Sequence, residues 1–187
     1  MMIRKAKQSD APQIAACLLL AMEDIVYDFI GTADRDKALN FLHYFTARNG
    51  NQYSYQHCRV AEIEGKVQAA VSVYDGAMLD ILRAPVAEYI REVLEKDFDP
   101  GAETAAGEYY IDSLGVDPVL QGKGVGAAMV QHLIEEYAHQ QGHVLGLLVD
   151  KDNPAAKRLY LRLGFEPRGE KQFAGKTLEH LQYRPRK

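Results

Sequence analysis

The second half of the chain alternates between strand-like and helix-like stretches, and this alternation constrains the fold more than any other feature. EYYIDSLGV and VLGLLV are typical of strands, while helical spacing marks Gly124–Gln141 between them and Pro154–Leu163 after them. The first of these helices is predicted to bury one stripe, formed by Val125, Met129, Leu133 and Tyr137. A strand–helix–strand unit places its two strands in parallel with a right-handed crossover, so the sequence predicts an α/β fold.

The other strand-like segments predict one mixed sheet flanked by helices. An opening strand is expected at Met2–Lys7, and CRVAEI and VQAAVSVY form a hairpin around the turn residues EGK. Two late strands are expected near Glu166–Gln172 and Leu178–Tyr183. No internal repeat and no change in composition divides the chain, so we expect a single domain over residues 1–187.

Helices are predicted in the first half of the chain as well. One begins at Asp10, which is expected to cap it, and ends at Gly31; another runs from Asp34 to about Arg48. An insertion at about 76–107 contains a further helix, whose apolar positions are Val86, Ile90, Val93, Leu94 and Phe98.

Composition and charge restrict the class of function. Hydrophobic residues make up 47% of the chain and the net charge is −4, with no dense basic stripe, so no nucleic-acid partner is expected. No run approaches the ~20 apolar residues of a membrane span. Cys17 and Cys58 form neither a disulfide framework nor a metal pair, and His139 and His143 are separated by Gly142. We therefore expect a cytoplasmic protein without a metal; a homodimer is left open.

QGKGVG, residues Gln121–Gly126, lies between a strand and an amphipathic helix. Its three glycines let the backbone turn tightly and approach a ligand, and the helix start adds free N–H donors and a positive dipole end. A diphosphate suits such a loop, although the glycines could equally serve only to shape the turn.

Two kinds of phosphate site compete for this loop. It is not a Walker A motif, because Gly124 follows Lys123 where Ser or Thr is required. It does match the dinucleotide pattern G-x-G-x-x-A from Gly122 to Ala127, with Asp150 closing the next strand. Against that interpretation, DPVLQ separates the strand from its first glycine, and the chain offers only one strand–helix–strand unit.

Two segments together resemble the GNAT family, the GCN5-related N-acetyltransferases. SLGVDPVLQGKGVG, residues 113–126, is similar to the family's acetyl-coenzyme A signature Q/R-x-x-G-x-G/A, with Gln121, Gly124 and Gly126 in its fixed positions. DNPAAKRLYLRLGF, residues 152–165, resembles its later motif of an Asn, a Tyr and a final Gly-Phe. The resemblance is close from Glu108 onward and looser before it.

The resemblance implies a GNAT fold in which the two parallel strands splay apart and the pantetheine arm lies between them. Backbone groups of Leu114 and Val116 would bind that arm, and amides from Gln121 to Gly126 would hold the pyrophosphate. The implied coenzyme A site comprises Leu114, Gly115, Val116, Gln121, Gly122, Lys123, Gly124, Val125, Gly126, Asn153 and Tyr160.

Tyr160 matches the family's general acid, which protonates the departing sulfur. A tyrosine with an ordinary pKa of about 10 stays protonated at neutral pH and can do so, although many tyrosines on such helices only pack. Asn153 before Pro154 is predicted to cap the helix, and contact with pantetheine would be an additional role.

The general base is not fixed by the sequence. Glu108 and Asp112 are the acidic candidates, acting through water, because the family's usual Glu position falls near Tyr110. Strand alternation predicts that both share one face with Tyr110, Leu114 and Val116, and that Ser113 and Gly115 face the other way.

The resemblance thus implies acetyl transfer from acetyl-coenzyme A, as co-substrate, to a primary amine of a small molecule or peptide in a ternary complex. The acceptor is expected among the two early helices, the insertion and the loop before Phe173. The alternatives are a non-catalytic acyl-coenzyme A sensor of the same fold and, from the dinucleotide pattern, an oxidoreductase.

Overall fold

The computed structural model describes residues 1–185, which form one seven-stranded sheet with helices on both faces. The strands are β1 Met2–Lys5, β2 Cys58–Ile63, β3 Lys66–Asp75, β4 Tyr109–Val116, β5 Leu145–Asp150, β6 Glu166–Phe173 and β7 Lys176–Tyr183. Their order across the sheet is β1-β2-β3-β4-β5-β7-β6, and β4 and β5 are the parallel pair. Every other neighbouring pair among the described strands is antiparallel, which leaves no second half for a dinucleotide fold.

Within residues 1–185, five α-helices cover the sheet: α1 Ala11–Ile30, α2 Arg35–Thr46, α3 Leu79–Glu92, α4 Val125–Leu133 and α5 Pro154–Arg162. Helices α1, α2 and α3 pack on one face around Leu18, Phe45 and Ile90, which we call the α1 face. On the opposite face, the α4 face, α4 and α5 pack against Leu147 and Leu181. The predicted mixed sheet flanked by helices is confirmed.

Most predicted elements are present with shifted ends. The hairpin, the insertion helix and the α4 stripe are confirmed, and all four stripe residues are buried. Val93 is an exception, because α3 ends at Glu92 and Glu95 adopts a left-handed φ of 54°, which turns Val93 out to 59% exposure. Phe98 nevertheless returns to the core beside Phe29.

Two local predictions are wrong. Asp10 does not cap α1, because its carboxylate accepts hydrogen bonds from Arg4 Nη1 and the Lys7 amide, at 2.7 and 2.8 Å. The helix predicted over Gly124–Gln141 is α-helical only to Leu133 and continues as a π-helix over Ile134–His139. The wider π turn buries Tyr137 beneath Arg59, whose guanidinium also binds Glu136.

None of the helices formed by residues 1–185 combines the length and the apolarity that crossing a membrane requires.

Candidate active site

The parallel strands β4 and β5 are paired for only part of their length. The ladder joins Tyr109, Tyr110 and Ile111 to Leu145, Gly146 and Leu147, and it stops there. β4 stays paired with β3 as far as Val116, and β5 stays paired with β7 as far as Asp150. The two strands therefore diverge after Ile111 and Leu147, and the edge of β4 that faces the opening has free backbone groups. This is the splayed pair of parallel strands that the resemblance of the two motifs predicted.

A β-bulge lies where the opening begins. Ser72 of β3 is opposite Ser113 and the next residue, Val73, is opposite Ile111, so Asp112 is an extra residue in β4. Because of it, Leu114 and Val116 pack on the α4 face with Ile111, whereas Tyr110 lies on the α1 face with Tyr74 and Leu79. The predicted sharing of one face by Tyr110, Asp112, Leu114 and Val116 is therefore wrong.

Helix α1 packs directly on the diverging part of β4. A Cβ atom on Gly115 would stand 1.7 Å from the carbonyl oxygen of Cys17, so only glycine permits this approach. One turn further along, α1 kinks at Met22, whose sulfur accepts a hydrogen bond from the Ser113 hydroxyl at 3.3 Å. Gly115 is thus a packing residue for α1, a role that the cofactor motif did not indicate.

The glycine loop has the geometry of an anion cradle. Gly122 and Gly124 have left-handed φ angles of 75° and 84°, and no atom lies within 4 Å of where either Cβ would be. The first main-chain helix bond of α4 runs from the Ala128 amide to the Gly124 carbonyl at 3.0 Å. The amides of Val125, Gly126 and Ala127 precede that bond, so they remain available to a ligand.

The Gln121 side chain closes the other end of this cradle. Its amide nitrogen donates to the carbonyl oxygen of Val116, the last residue of β4, at 3.2 Å. The opening between β4 and β5 therefore leads directly to the free amides of α4. An elongated ligand with an anionic group fits this arrangement, because its chain can pair with the β4 edge while its phosphates meet the amides.

Asn153 and Tyr160 lie on α5, which follows β5. The predicted cap is confirmed: the Asn153 side chain accepts a hydrogen bond from the Ala156 amide at 3.1 Å, with Pro154 in the first turn. Tyr160 packs edge-on against Phe165, with ring centroids 5.7 Å apart. Burial raises the pKa of Tyr160 to about 12, so its hydroxyl keeps its proton at any physiological pH.

The Glu108 carboxylate is buried and fully bonded. It accepts hydrogen bonds from the Thr104 hydroxyl at 2.8 Å, from His180 Nε2 at 2.8 Å and from Gln182 Nε2 at 2.7 Å. Burial raises the pKa of Glu108, but these donors outweigh burial and bring the pKa below its ordinary value. The carboxylate lies over Gly146, where a Cβ would be only 2.0 Å from it.

Asp112 has the opposite environment. Burial, only partly offset by the positive charge of Arg83, raises the pKa of Asp112 to about 7. Its Oδ2 atom is buried and has no hydrogen-bond partner among residues 1–185. The structure therefore separates the two acidic candidates: Glu108 is saturated with donors, and Asp112 is not.

The insertion brings an ion pair to the same region. Arg83 of α3 is paired with Glu103, which is completely buried, and Arg83 also donates to the Gly101 carbonyl at 2.6 Å. Glu103 accepts a further hydrogen bond from the Tyr74 hydroxyl at 3.1 Å. The Ala174 amide, in the turn between β6 and β7, donates to the Pro100 carbonyl at 2.7 Å. These contacts hold the insertion against the α1 face beside the opening. The loop expected before Phe173 is part of strand β6, and the turn lies after Phe173.

Arg83, Glu103 and His180 were not identified from the sequence. Each depends on partners far away in the chain, as for Glu108 and His180, which are 72 positions apart, and no local spacing signals them. Cys17 and Cys58 are confirmed as buried core residues. Within residues 1–185, no three His, Cys, Asp or Glu side chains are arranged as a metal site.

Comparison with known proteins adds to this geometry. Residues 24–165 match the model of the acetyltransferase (GNAT) family. Mycothiol acetyltransferase of Mycobacterium sp. (strain JLS) is 41% identical over 64 residues, which are 32% of this chain and 21% of that protein. The chain therefore matches only about a fifth of the length of that curated relative.

Solved structures match over the whole chain. An N-acetyltransferase from Staphylococcus aureus Mu50 superimposes with a TM-score of 0.84 at 23% identity and covers 98% of this chain and 100% of its own. A second crystal structure, of an acetyltransferase, has a TM-score of 0.81 at 27% identity, with 100% of both chains covered.

Proposed function

This chain belongs to the acetyltransferase (GNAT) family, and we propose that it transfers an acetyl group from acetyl-coenzyme A to a primary amine of a small molecule or peptide. One observation carries the proposal: the opening between β4 and β5 leads to the free amides of the glycine loop on one side and to buried acidic groups on the other. A long thioester could lie in the opening while an amine approaches from the α1 face.

The coenzyme A site that we propose follows the backbone. The β4 edge at Leu114–Val116 binds the pantetheine arm, and the glycine loop holds the pyrophosphate. Because the amides of Gln121 and Lys123 already donate within the loop, the amides that we assign to the phosphates are those of Gly122 and Gly124–Gly126. The open space at Gly122 and Gly124 supports this placement, because phosphate oxygens can reach the main chain there without meeting a side chain. Asn153 is assigned to pantetheine contact in addition to its cap.

Tyr160 is the proposed general acid. The amine nitrogen attacks the thioester carbonyl, a C–N bond forms, and the C–S bond breaks. The leaving sulfur takes the proton of the Tyr160 hydroxyl, and the surplus proton of the new amide nitrogen restores the tyrosine. The raised pKa of Tyr160 favours this role, because the group must be protonated when the sulfur departs.

The two carboxylates have different proposed roles. Asp112 supplies negative charge on the α1 face, where a cationic amine arrives, and its unpartnered oxygen supports this assignment. Glu108 is a poor direct base, because all its hydrogen-bonding capacity toward the site is already used by three donors. A cytoplasmic location is part of the proposal, and the unpaired thiols of Cys17 and Cys58 suit a reducing compartment.

A thiol-release assay with acetyl-coenzyme A tests this function. The panel spans polyamines, amino acids, aminoglycosides and peptides with free amino termini, and product is identified by mass. Tyr160→Phe is expected to lower kcat by about 100-fold while leaving the affinity for acetyl-coenzyme A unchanged. Leu161→Ala, at an exposed neighbouring position, is the matched control and should retain activity.

The contrary outcomes are distinct. Cofactor binding without transfer to any amine in the panel would favour the sensor alternative. Stabilisation by NAD and not by acetyl-coenzyme A would contradict the proposed site itself.

A further inference from the structure

His180 lies on β7 next to the opening, and the mechanism above does not use it. In the sheet it is opposite Leu148, the first residue of β5 beyond the last β4–β5 pair. Leu148 packs on the α1 face, and residues opposite each other in a ladder share a face, so the imidazole of His180 lies there too. Asp112 is the first residue of β4 beyond the same pair. Asp112 therefore stands on the β4 side of the start of the opening, and His180 stands on the other side, behind β5.

The Glu108 carboxylate fixes the tautomer of His180. Glu108 is ionised, since its pKa is lowered, and a carboxylate can only accept hydrogen bonds. Nε2 lies 2.8 Å from Glu108 Oε2, so Nε2 carries the proton of the neutral ring. Nδ1 is then left with a lone pair. It makes no hydrogen bond to residues 1–185, and the side chain keeps 13% of its surface exposed.

Glu108 is itself held rigidly for this purpose. It reaches β7 across β5 only because position 146 is glycine, and Thr104 and Gln182 fix both of its oxygens. The imidazole is thus oriented by a carboxylate that cannot rotate away. An oriented ring whose second nitrogen makes no hydrogen bond is the arrangement that general-base histidines use.

We propose that Nδ1 of His180 removes the proton from the acceptor ammonium, with Glu108 as the positioning residue behind it. The inference rests on the proposed acetyl transfer and gives that reaction its base. The ammonium N–H bond breaks, the proton binds to Nδ1 to form an imidazolium next to Glu108, and the freed lone pair of the amine attacks the thioester. The side chain of His180 keeps 13% of its surface exposed, which gives the proton a route to water after each turnover.

A comparison of His180→Gln with Thr177→Val tests the proposal. Glutamine places an N–H donor where Nε2 was and so preserves the bond to Glu108, but it has no atom that can act as Nδ1. Thr177→Val, on the same strand, removes a hydrogen bond from Gln172 and touches neither His180 nor Glu108. His180→Gln should lower kcat by about 100-fold with little change in the KM for the amine, and Thr177→Val should lose no more than threefold. Asp112→Asn should act mainly on the KM.

Nuclear magnetic resonance of the ring nitrogens provides a readout that does not need turnover. The neutral wild-type ring is expected to show a proton on Nε2 and a lone pair on Nδ1. The other groups that face this region and titrate or carry charge are Glu108, Asp112, Arg83 and Glu103, and the spectra of Asp112→Asn show which signals follow the ionisation of Asp112.

Two results would overturn the proposal. One is a His180→Gln variant whose kcat stays within threefold of wild type; the other is a ring that is protonated on Nδ1. Absence of transfer by the wild type with every amine would contradict the proposed function instead, and in that case the tautomer still decides whether His180 has the free nitrogen that the base requires.

Discussion

The two sides of the opening between β4 and β5 present different chemical groups, main chain on one side and side chains on the other. Toward α4 the site consists of backbone: two left-handed glycines and the free amides of a helix start. Toward α1 it consists of acidic and basic side chains, of which Glu103 and Glu108 are buried and Arg83 and Asp112 are half-buried. Main-chain groups are altered by few substitutions, so they suit a ligand that stays the same as the sequence changes. Side chains are easily exchanged, so they suit recognition of a ligand that differs from one protein to another.

The buried ion pair on the α1 side offers the strongest way to break this comparison. Arg83→Met leaves Glu103 buried without its charged partner, and we expect a loss of about 3–5 kcal/mol in the free energy of unfolding. Chemical denaturation measures it. If the α1 side is independent of the cofactor site, the fraction of Arg83→Met that stays folded should bind acetyl-coenzyme A with the affinity of the wild type. Arg162→Met, at an exposed position of α5, controls for the loss of an arginine and should change stability by less than 0.5 kcal/mol.

Substitutions at two glycines, one on each side of the opening, are expected to have smaller effects that differ between the sides. Gly115→Ala drives a methyl group into the Cys17 carbonyl of α1, so we expect a cost of about 3 kcal/mol, at the upper end for overpacking. Gly126→Ala has 3.7 Å to its nearest neighbour, Val116, and should fold with a cost below about 1 kcal/mol while weakening acetyl-coenzyme A binding. Thermal unfolding and isothermal titration measure the two effects. Equal stability of the two variants would contradict the close packing of α1 on β4.

Asp112 gives an effect that vanishes at low pH, and this pH dependence sharpens the comparison. Because its pKa is raised to about 7 in the folded protein, the folded state holds a proton that the unfolded chain has lost above about pH 4. Ionised Asp112 therefore destabilises the fold as the pH rises from about 4 to 7. A difference of about three pKa units corresponds to about 4 kcal/mol as an upper bound, so Asp112→Asn should raise the Tm by up to about 10 °C at pH 8 and have no effect near pH 4. A gain that is independent of pH would refute the assignment of the raised pKa to Asp112.

The same division explains what could be predicted from the sequence. The glycine loop and the Asn153 cap depend on neighbours within a few residues, and the parallel pair follows from the order of strand, helix and strand, so local patterns reveal them. The contacts of Glu108 with His180 and of Arg83 with Phe173 join distant parts of the chain, and no local pattern encodes them. The bulge at Asp112 made the prediction of which β4 side chains share a face wrong, because one extra residue reverses the alternation that follows it.

That bulge also bears on how the protein could gain or lose its chemistry. Without residue 112, Ile111 and Ser113 would sit opposite Val73 and Ser72 in an uninterrupted ladder, and Leu114 and Val116 would keep their places against α4. The strand does not need Asp112 in order to form. A single in-frame deletion could therefore remove the carboxylate without disturbing its neighbours, and a single insertion could supply it to a chain that lacked one. In this fold an acidic group can be acquired or discarded separately from the architecture that surrounds it.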